Sequence, residues 1–176
     1  MRDSQRQRLY DAEQQVRRQL EFAAAGARTI TVASSTLVLP LEVRFGSLDG
    51  AQRYVSGIQT THAFRQLFPN AAAVPLRLRA RRADRSAHYE PPGTIALHQP
   101  EHGTGWALRE MVVLHEVAHH AAHHDLTPEP AHGPRYAGAF VRLVTQVIGP
   151  ETGLLLTTAF AEHGVEVIAI AEAEAS

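Results

Sequence analysis

The chain has 176 residues, a formal net charge of -1 and 44% apolar residues, values typical of one globular domain spanning residues 1–176. It contains no Cys, which excludes disulfides, thiolate metal ligands and cysteine nucleophiles, so any metal must be bound by His or carboxylates. The charged N-terminus precedes no apolar stretch, and no apolar run approaches the ~20 residues of a membrane span. We therefore expect a cytoplasmic protein that does not enter the membrane.

The first half of the chain predicts two helices and two strands. Apolar residues at helical spacing, followed by Gly26, indicate an N-terminal helix within residues 1–25 that begins near Asp3. In chain order we then predict strands at Thr29–Val32 and Leu37–Phe45, the second interrupted at Pro40, a turn at Gly46–Gly50, and a helix from Ala51 to about Leu67 that Pro69 and Asn70 end.

The second half of the chain predicts two strands, then a long buried helix, and then further helices. In chain order we first predict an alternating strand Pro75–Arg82, a strand Gly93–His98, a loop over 99–105 and a long helix from about Trp106 to His124. A loop Asp125–Ala131 then leads to a helix starting at Gly133-Pro134 and to another from about Glu151 to Glu162. The last predicted elements are a strand or helical extension at Val165–Ile170 and a frayed tail over 171–176. The long helix is apolar nearly all round, which is typical of a central buried element. The fold class expected is α+β, with a small mixed or antiparallel sheet packed on this helix.

Within the long helix stands the motif His115-Glu116-Val117-Ala118-His119. Residues four apart lie on one helix face, so both imidazoles can bind the same metal ion, and Zn²⁺ is the ion we expect. Glu116 lies one step round the helix, where its carboxylate can take a proton from a zinc-activated water. The alternative is a helix that carries surface histidines. The apolar flanking residues disfavour it, because burying polar groups that have no role is costly.

A catalytic zinc site needs a third protein ligand, and five residues are candidates: His123, His124, Asp125, Glu129 and His132. His123 lies about 12 Å along the helix from His115, too far to share an ion unless the helix breaks. Asp125 has the spacing of the third ligand in metzincins, but Ala122 occupies the position where that turn needs Gly. His132 follows a loop long enough to return it, so we favour His132, with Asp125 as the alternative.

The segment His132-Gly133-Pro134-Arg135-Tyr136, after the His-Glu-x-x-His helix, resembles the SprT-like zincins. A family of actinobacterial zinc metallohydrolases of about this length is more similar still. That resemblance also covers the N-terminal Arg-Asp-Ser-Gln-Arg-Gln-Arg-Leu-Tyr, the segment Val113–His120 and residues 159–165. It implies a zincin-like metallohydrolase fold, with His115, His119 and His132 as ligands and Glu116 as the catalytic residue. SprT-like proteins often carry a cysteine zinc ribbon, which this chain lacks, so their DNA-bound protein substrates are not carried over.

Other polar residues have structural alternatives to a catalytic role. A transition-state oxyanion usually receives a second donor, and four residues are candidates: Tyr89, Arg135, Tyr136 and His163. Core packing for Tyr136 and a surface position for the others are the favoured interpretations. We also expect His120, His123 and His124 to have surface or capping roles near the helix end.

One stretch is strongly basic and contains Arg77, Arg79, Arg81, Arg82 and Arg85. It could bind nucleic-acid phosphates, but the solvent face of an amphipathic strand is favoured.

The function predicted is zinc-dependent hydrolysis of a peptide or protein substrate. Two alternatives stay open: a DNA-associated protease that acts on nucleic-acid-bound proteins, and a non-catalytic metal-stabilised binding protein.

Overall fold

The computed structural model describes residues 3–32, 34–81, 87–98 and 106–170, and these residues form an α+β structure with seven α-helices and five strands. The helices are α1 (Arg6–Ala24), α2 (Leu48–Thr60), α3 (His62–Leu67), α4 (Pro69–Ala73), α5 (Glu110–Asp125), α6 (Pro134–Val147) and α7 (Pro150–Glu162). The strands are β1 (Thr29–Val32), β2 (Ser35–Val38), β3 (Arg77–Arg81), β4 (His88–Glu90) and β5 (Thr94–His98). The α+β fold class is confirmed.

The chain divides into two compact units. The first combines the residues up to Glu42 with Glu129–Ile170, and the second is Val43–Pro128. The single domain expected for residues 1–176 stays a prediction.

Among the described residues, no helix has both the length and the apolar character that crossing a bilayer requires. The loop predicted for 99–105 and the tail predicted for 171–176 lie outside the described residues.

The first unit is built on three helices, in which α7 packs against both α1 and α6. The apolar face of α1 is buried, with Leu9, Val16 and Leu20 at 0 to 1% exposure. Its C-terminal turn is followed by Gly26 at φ +107°, a backbone conformation that favours glycine, as the predicted stop requires. The predicted start of α6 at Gly133-Pro134 is confirmed, with Pro134 as its first residue.

Two predictions for the first unit need correction. The strand expected over Leu37–Phe45 ends at Val38, because Pro40 has no N–H to continue the pairing of β1 with β2. The residues Val165–Ile170 form neither strand nor helix. They follow Gly164 at φ +66°, and the backbone N–H of Ile168 donates to Pro134 O at 2.9 Å.

This C-terminal segment lies directly against α6 at a glycine. A Cβ atom at Gly138 would lie 1.8 Å from the carbonyl oxygen of Ile168, so only glycine allows the contact. At the other end of the chain, the Gln5 side-chain amide donates to Glu166 O at 3.2 Å and accepts from Glu166 N at 3.1 Å. The two termini of the described chain are therefore tied together within the first unit.

The second unit contains a mixed three-stranded sheet in the order β3-β5-β4. β5 pairs parallel with β3 and antiparallel with β4, and its residues Ile95, Ala96 and Leu97 are fully buried. The mixed sheet is confirmed, and α5 packs against β4. The strict alternation expected for Pro75–Arg82 holds only in part, since Ala80 is exposed in the edge strand β3. Short polar β4 was not predicted.

The helix predicted over Ala51–Leu67 is divided in two. Thr61 has extended backbone, and its hydroxyl accepts from Phe64 N at 3.2 Å, so it caps a new helix and interrupts the first. Pro69, predicted to end helical structure, begins the short helix α4 instead.

Helix α5 is the buried central element that the sequence predicts, although it begins later. A 3-10 turn occupies Trp106–Leu108, and α5 itself starts at Glu110. The buried Glu110 carboxylate accepts hydrogen bonds from Val43 N at 2.9 Å and from the Tyr54 hydroxyl. Burial, together with Glu110, raises the pKa of Tyr54. These contacts fix the N-terminal end of the helix that carries two of the predicted metal ligands, His115 and His119.

Candidate metal centre

His115 and His119 converge on one side of helix α5 in the second unit. Their Nε2 atoms are 3.1 Å apart, and their ring centroids are 4.8 Å apart in an edge-to-face arrangement at 74°. His115 is buried at 5% exposure, and His119 is partly exposed. One helical turn separates the residues, so both side chains project from the same face. The helix thus presents two imidazole nitrogens to one point.

This spacing fits a metal ion held by both rings. Two nitrogens that each lie 2.0–2.1 Å from a tetrahedral zinc ion are about 3.3 to 3.4 Å apart. The observed 3.1 Å differs from that separation by only a few tenths of an ångström. Imidazole also suits zinc as a donor, whereas calcium and magnesium prefer oxygen ligands. The pair therefore has the spacing and the donor type that a metal ion bound by two imidazoles requires.

Glu116 follows His115 on α5 and is buried at 4% exposure. A carboxylate in such an environment needs partners or a nearby positive charge to offset the loss of hydration. Its place directly beside His115 is the one that the sequence motif requires of a general base. The structure therefore brings the rings of His115 and His119 together, and Glu116 lies next to His115 along the helix.

His132 belongs to the first unit, where it precedes α6. Its Nδ1 lies 2.6 Å from Asp3 Oδ2, and its backbone carbonyl accepts from Gln5 Nε2 at 2.8 Å. The rings of Tyr10 and Tyr136 contact the imidazole edge-on, with centroids at 5.1 and 5.2 Å. His132 is 5% exposed. The ring is therefore restrained at its Nδ1 side and at its backbone.

The alternative third ligands have other partners. Both carboxylate oxygens of Asp125 accept backbone hydrogen bonds from the first turn of α4, from Asn70 N at 3.0 Å and from Ala71 N at 2.8 Å. Glu129 accepts from Tyr136 N at 2.8 Å and so caps the first turn of α6. These contacts give each carboxylate a structural function at a helix N-terminus.

His123 and His124 lie near the C-terminal end of α5. His123 is exposed, as predicted. His124 is half-buried, and its Nε2 donates to the carbonyl oxygen of Pro92 at 2.6 Å. This bond ties the end of α5 to the turn between β4 and β5.

His120 was predicted to have a surface or capping role near the end of α5, and this prediction is wrong. It is fully buried, its Nε2 donates to Ala71 O at 2.9 Å, and its Nδ1 lies 3.2 Å from the Tyr89 hydroxyl. That hydroxyl donates to Pro92 O at 2.6 Å. The sequence gives no direct signal for this cluster, because its acceptors come from Ala71 and Pro92, far from α5 in the chain.

Burial shifts the pKa values of His120 and Tyr89. Desolvation lowers the pKa of His120, and the nearby His124 and His123 lower it further against the opposing hydrogen bonds to backbone carbonyls. Desolvation raises the pKa of Tyr89 to about 12. Both side chains are therefore held in their neutral forms, which is typical of a structural hydrogen-bond network.

The predicted oxyanion-stabilising residues occupy several environments. Tyr136 is fully buried, which confirms core packing. Tyr89 and Arg135 are half-buried, and His163 Nε2 lies 2.9 Å from Gln15 Oε1. All three are partly exposed, in agreement with the surface position expected for them.

The charge of the basic strand β3 is partly neutralised by β4, which lies on the other side of β5 in the sheet. Arg79 forms an ion pair with Glu90, and this guanidinium is the main cause that lowers the pKa of Glu90 to about 2. Arg81 contacts His88. Arg77 and Arg79 are exposed, as a solvent-facing strand predicts, while Arg82 and Arg85 lie outside the described residues. The pairing with Glu90 reduces the positive charge available for phosphates.

Comparison with protein-family models, with curated proteins and with solved structures finds no match for this chain.

Proposed function

We propose that this protein is a zinc-dependent metallohydrolase that cleaves peptide bonds. The observation that carries the proposal is the convergence of His115 and His119, whose Nε2 atoms are 3.1 Å apart on a buried helix with Glu116 beside them. A metal-free structural role does not require this combination. The sequence resembles the SprT-like zincins and a family of actinobacterial metallohydrolases, and the activity that we propose is the one that this resemblance implies.

His132 is the proposed third ligand. It is the third ligand that the resemblance to these families implies, alongside His115 and His119. Three protein ligands are the number found in catalytic zinc sites, which keep one position open for water or substrate. Closed structural sites bind a fourth protein ligand instead.

A zinc ion bound by these residues would act as a Lewis acid toward a carbonyl oxygen and would lower the pKa of water. The role of the protein is then to move protons and to hold its ligands. Glu116 is proposed to take a proton from the attacking water and to deliver it to the departing amine, as a general base and then a general acid. His115 and His119 act as neutral nitrogen donors, so their ring geometry must be maintained by the packing of α5.

The decisive experiment compares Glu116→Gln with Glu162→Gln, which changes an exposed glutamate on α7. We expect both variants to purify with about one zinc per chain, as measured by elemental analysis. In a peptide-library cleavage screen Glu116→Gln should lose about 10²–10⁴-fold in rate, the usual contribution of general acid–base catalysis, and the control should keep full activity.

Three results would count against the proposal. Wild-type protein that binds no zinc would remove the metal site altogether. Zinc binding with no cleavage of any peptide would favour a metal-stabilised binding protein. Undiminished cleavage by Glu116→Gln would reject the role assigned to that carboxylate.

The third ligand is tested separately by His132→Ala and Asp125→Ala. We expect His132→Ala to lose stoichiometric zinc, and Asp125→Ala to retain it because this carboxylate already caps α4. Equal zinc contents in wild type and His132→Ala would overturn the assignment of His132.

A further inference from the structure

A short N-terminal segment restrains His132 at two points. The Asp3 carboxylate lies 2.6 Å from His132 Nδ1, and the Gln5 side chain donates to the His132 carbonyl oxygen at 2.8 Å. The side chain of His132 is 6% exposed and that of Asp3 is 23% exposed. These residues are more than 120 positions apart in sequence, so the contact belongs to the tertiary structure and is not an effect of local chain geometry.

The contact with Asp3 determines which ring nitrogen carries the proton. A carboxylate accepts hydrogen bonds, so the favoured neutral imidazole has its proton on Nδ1 and a lone pair on Nε2. Histidines that bind metals usually donate their other ring N–H to a carboxylate or a carbonyl in this way. Such a partner fixes the ring orientation and makes the ligating nitrogen more basic.

Gln5 supplies the second restraint. Its side chain is buried, and the same amide that donates to His132 also forms hydrogen bonds in both directions with the backbone of Glu166. The backbone of His132 is thereby attached to two parts of the first unit. The edge-on rings of Tyr10 and Tyr136 limit rotation of the imidazole between them.

We infer that Asp3 is a positioning residue that prepares His132 to ligate zinc through Nε2, with Gln5 holding the backbone from which that ring projects. The inference rests on the proposed function, because it assigns a partner to the third ligand of the same site. It also gives a role to the N-terminal segment before α1, for which the sequence predicts only a helix start.

Zinc affinity of three variants, measured by competition with a chromogenic chelator, tests the inference. We expect Asp3→Ala to bind zinc about 10–100-fold more weakly than wild type, the usual cost of removing such a partner. Asp3→Asn should lose less, because its amide oxygen can accept the same hydrogen bond. Asp11→Asn is the matched control on α1, where Asp11 contacts only Gln7 among the hydrogen bonds described, and it should bind as wild type does.

A second measurement separates positioning from general stabilisation. Long-range ¹H–¹⁵N spectra of the metal-free protein report ring tautomers, and the His132 signals are those missing from His132→Ala. We expect a proton on Nδ1 in wild type and in Asp11→Asn, and a shift toward Nε2 in Asp3→Ala. A purely structural contact would lower the melting temperature of Asp3→Ala without changing the tautomer or the zinc affinity of the folded protein.

The outcomes distinguish this inference from the function on which it rests. If wild type binds zinc and Asp3→Ala binds it equally well, the role of Asp3 is rejected and the metallohydrolase proposal stands. If wild type binds no zinc, both are overturned. If Asp3→Ala does not fold, Asp3→Asn decides: its zinc affinity must lie between those of wild type and His132→Ala, and its His132 ring must carry the proton on Nε2 more often than in wild type. Wild-type values for both would reject the role of Asp3.

Discussion

Two histidine pairs on helix α5 have the same spacing and nearly the same ring geometry. The centroids of His115 and His119 are 4.8 Å apart at 74°, and those of His120 and His124 are 4.7 Å apart at 70°. The first pair points its Nε2 atoms at each other. In the second pair each Nε2 donates to a backbone carbonyl, so that nitrogen has no lone pair to offer a metal.

The comparison shows that four-residue spacing does not define a metal site by itself. Spacing places two rings on one helix face, but the carbonyl groups around that face decide whether the rings act as ligands or as donors. Around His120 and His124 those carbonyls belong to Ala71 and Pro92. We therefore expect the two pairs to respond in opposite ways to the same substitution.

The largest contrast should come from His119→Ala and His124→Ala. Removing one of two convergent ligands should abolish stoichiometric zinc binding, whereas His124→Ala should keep about one zinc per chain. Elemental analysis after dialysis against metal-free buffer measures both. Loss of zinc from His124→Ala alone would reverse the roles that we assign to the two pairs.

A smaller effect, on stability and not on metal, is expected for His120→Ala. Loss of the fully buried ring leaves a cavity, and Ala71 O loses one of its donors while that from Gln59 Nε2 remains, so the free energy of unfolding should fall by about 2–4 kcal/mol. Urea unfolding measures this change, with exposed His123→Ala as the control, which should cost little. A loss below about 1 kcal/mol would contradict the structural role of His120.

The smallest effect is expected for Tyr89→Phe, which removes the hydroxyl that donates to Pro92 O. Its cost at neutral pH should be about 1 kcal/mol. The pKa of Tyr89 is raised to about 12, above the ordinary tyrosine value near 10. Its contribution to stability is therefore complete below about pH 10 and is lost as the pH rises through 12.

Urea unfolding of wild type and Tyr89→Phe at a series of alkaline pH values tests whether the contribution of Tyr89 to stability falls as the pH rises. The difference in stability between the two proteins should shrink from pH 10 upward. A difference that stays constant through pH 12 would show that the Tyr89 hydroxyl does not ionise differently in the folded and unfolded chains.

The elements that follow from local pattern were predicted from the sequence. The apolar run through α5 predicts its burial, and four-residue spacing predicts the convergence of His115 and His119, because both depend only on helix geometry. Gly26 and Gly133-Pro134 mark the end of α1 and the start of α6 through backbone preferences that act within one turn.

Two of the errors concern features that distant parts of the chain determine. The surface position expected for His120 is wrong because Ala71, 49 residues away, supplies the carbonyl that makes its burial possible. Strand β4 is polar and only three residues long, and pairing with β5 is what defines it. The break at Thr61 was accessible from sequence, since a threonine that caps a helix is a local signal.

The Gln15–Glu162 hydrogen bond joins α1 to α7 across 147 positions, which has a consequence for synthesis on the ribosome. At about 5–20 residues per second, α1 emerges roughly 7–30 s before its packing partner exists. During that interval Leu9, Val16 and Leu20, which end up buried, remain open to water or to chaperones. Translation can complete the residues of the second unit before the last helix of the first unit has been made.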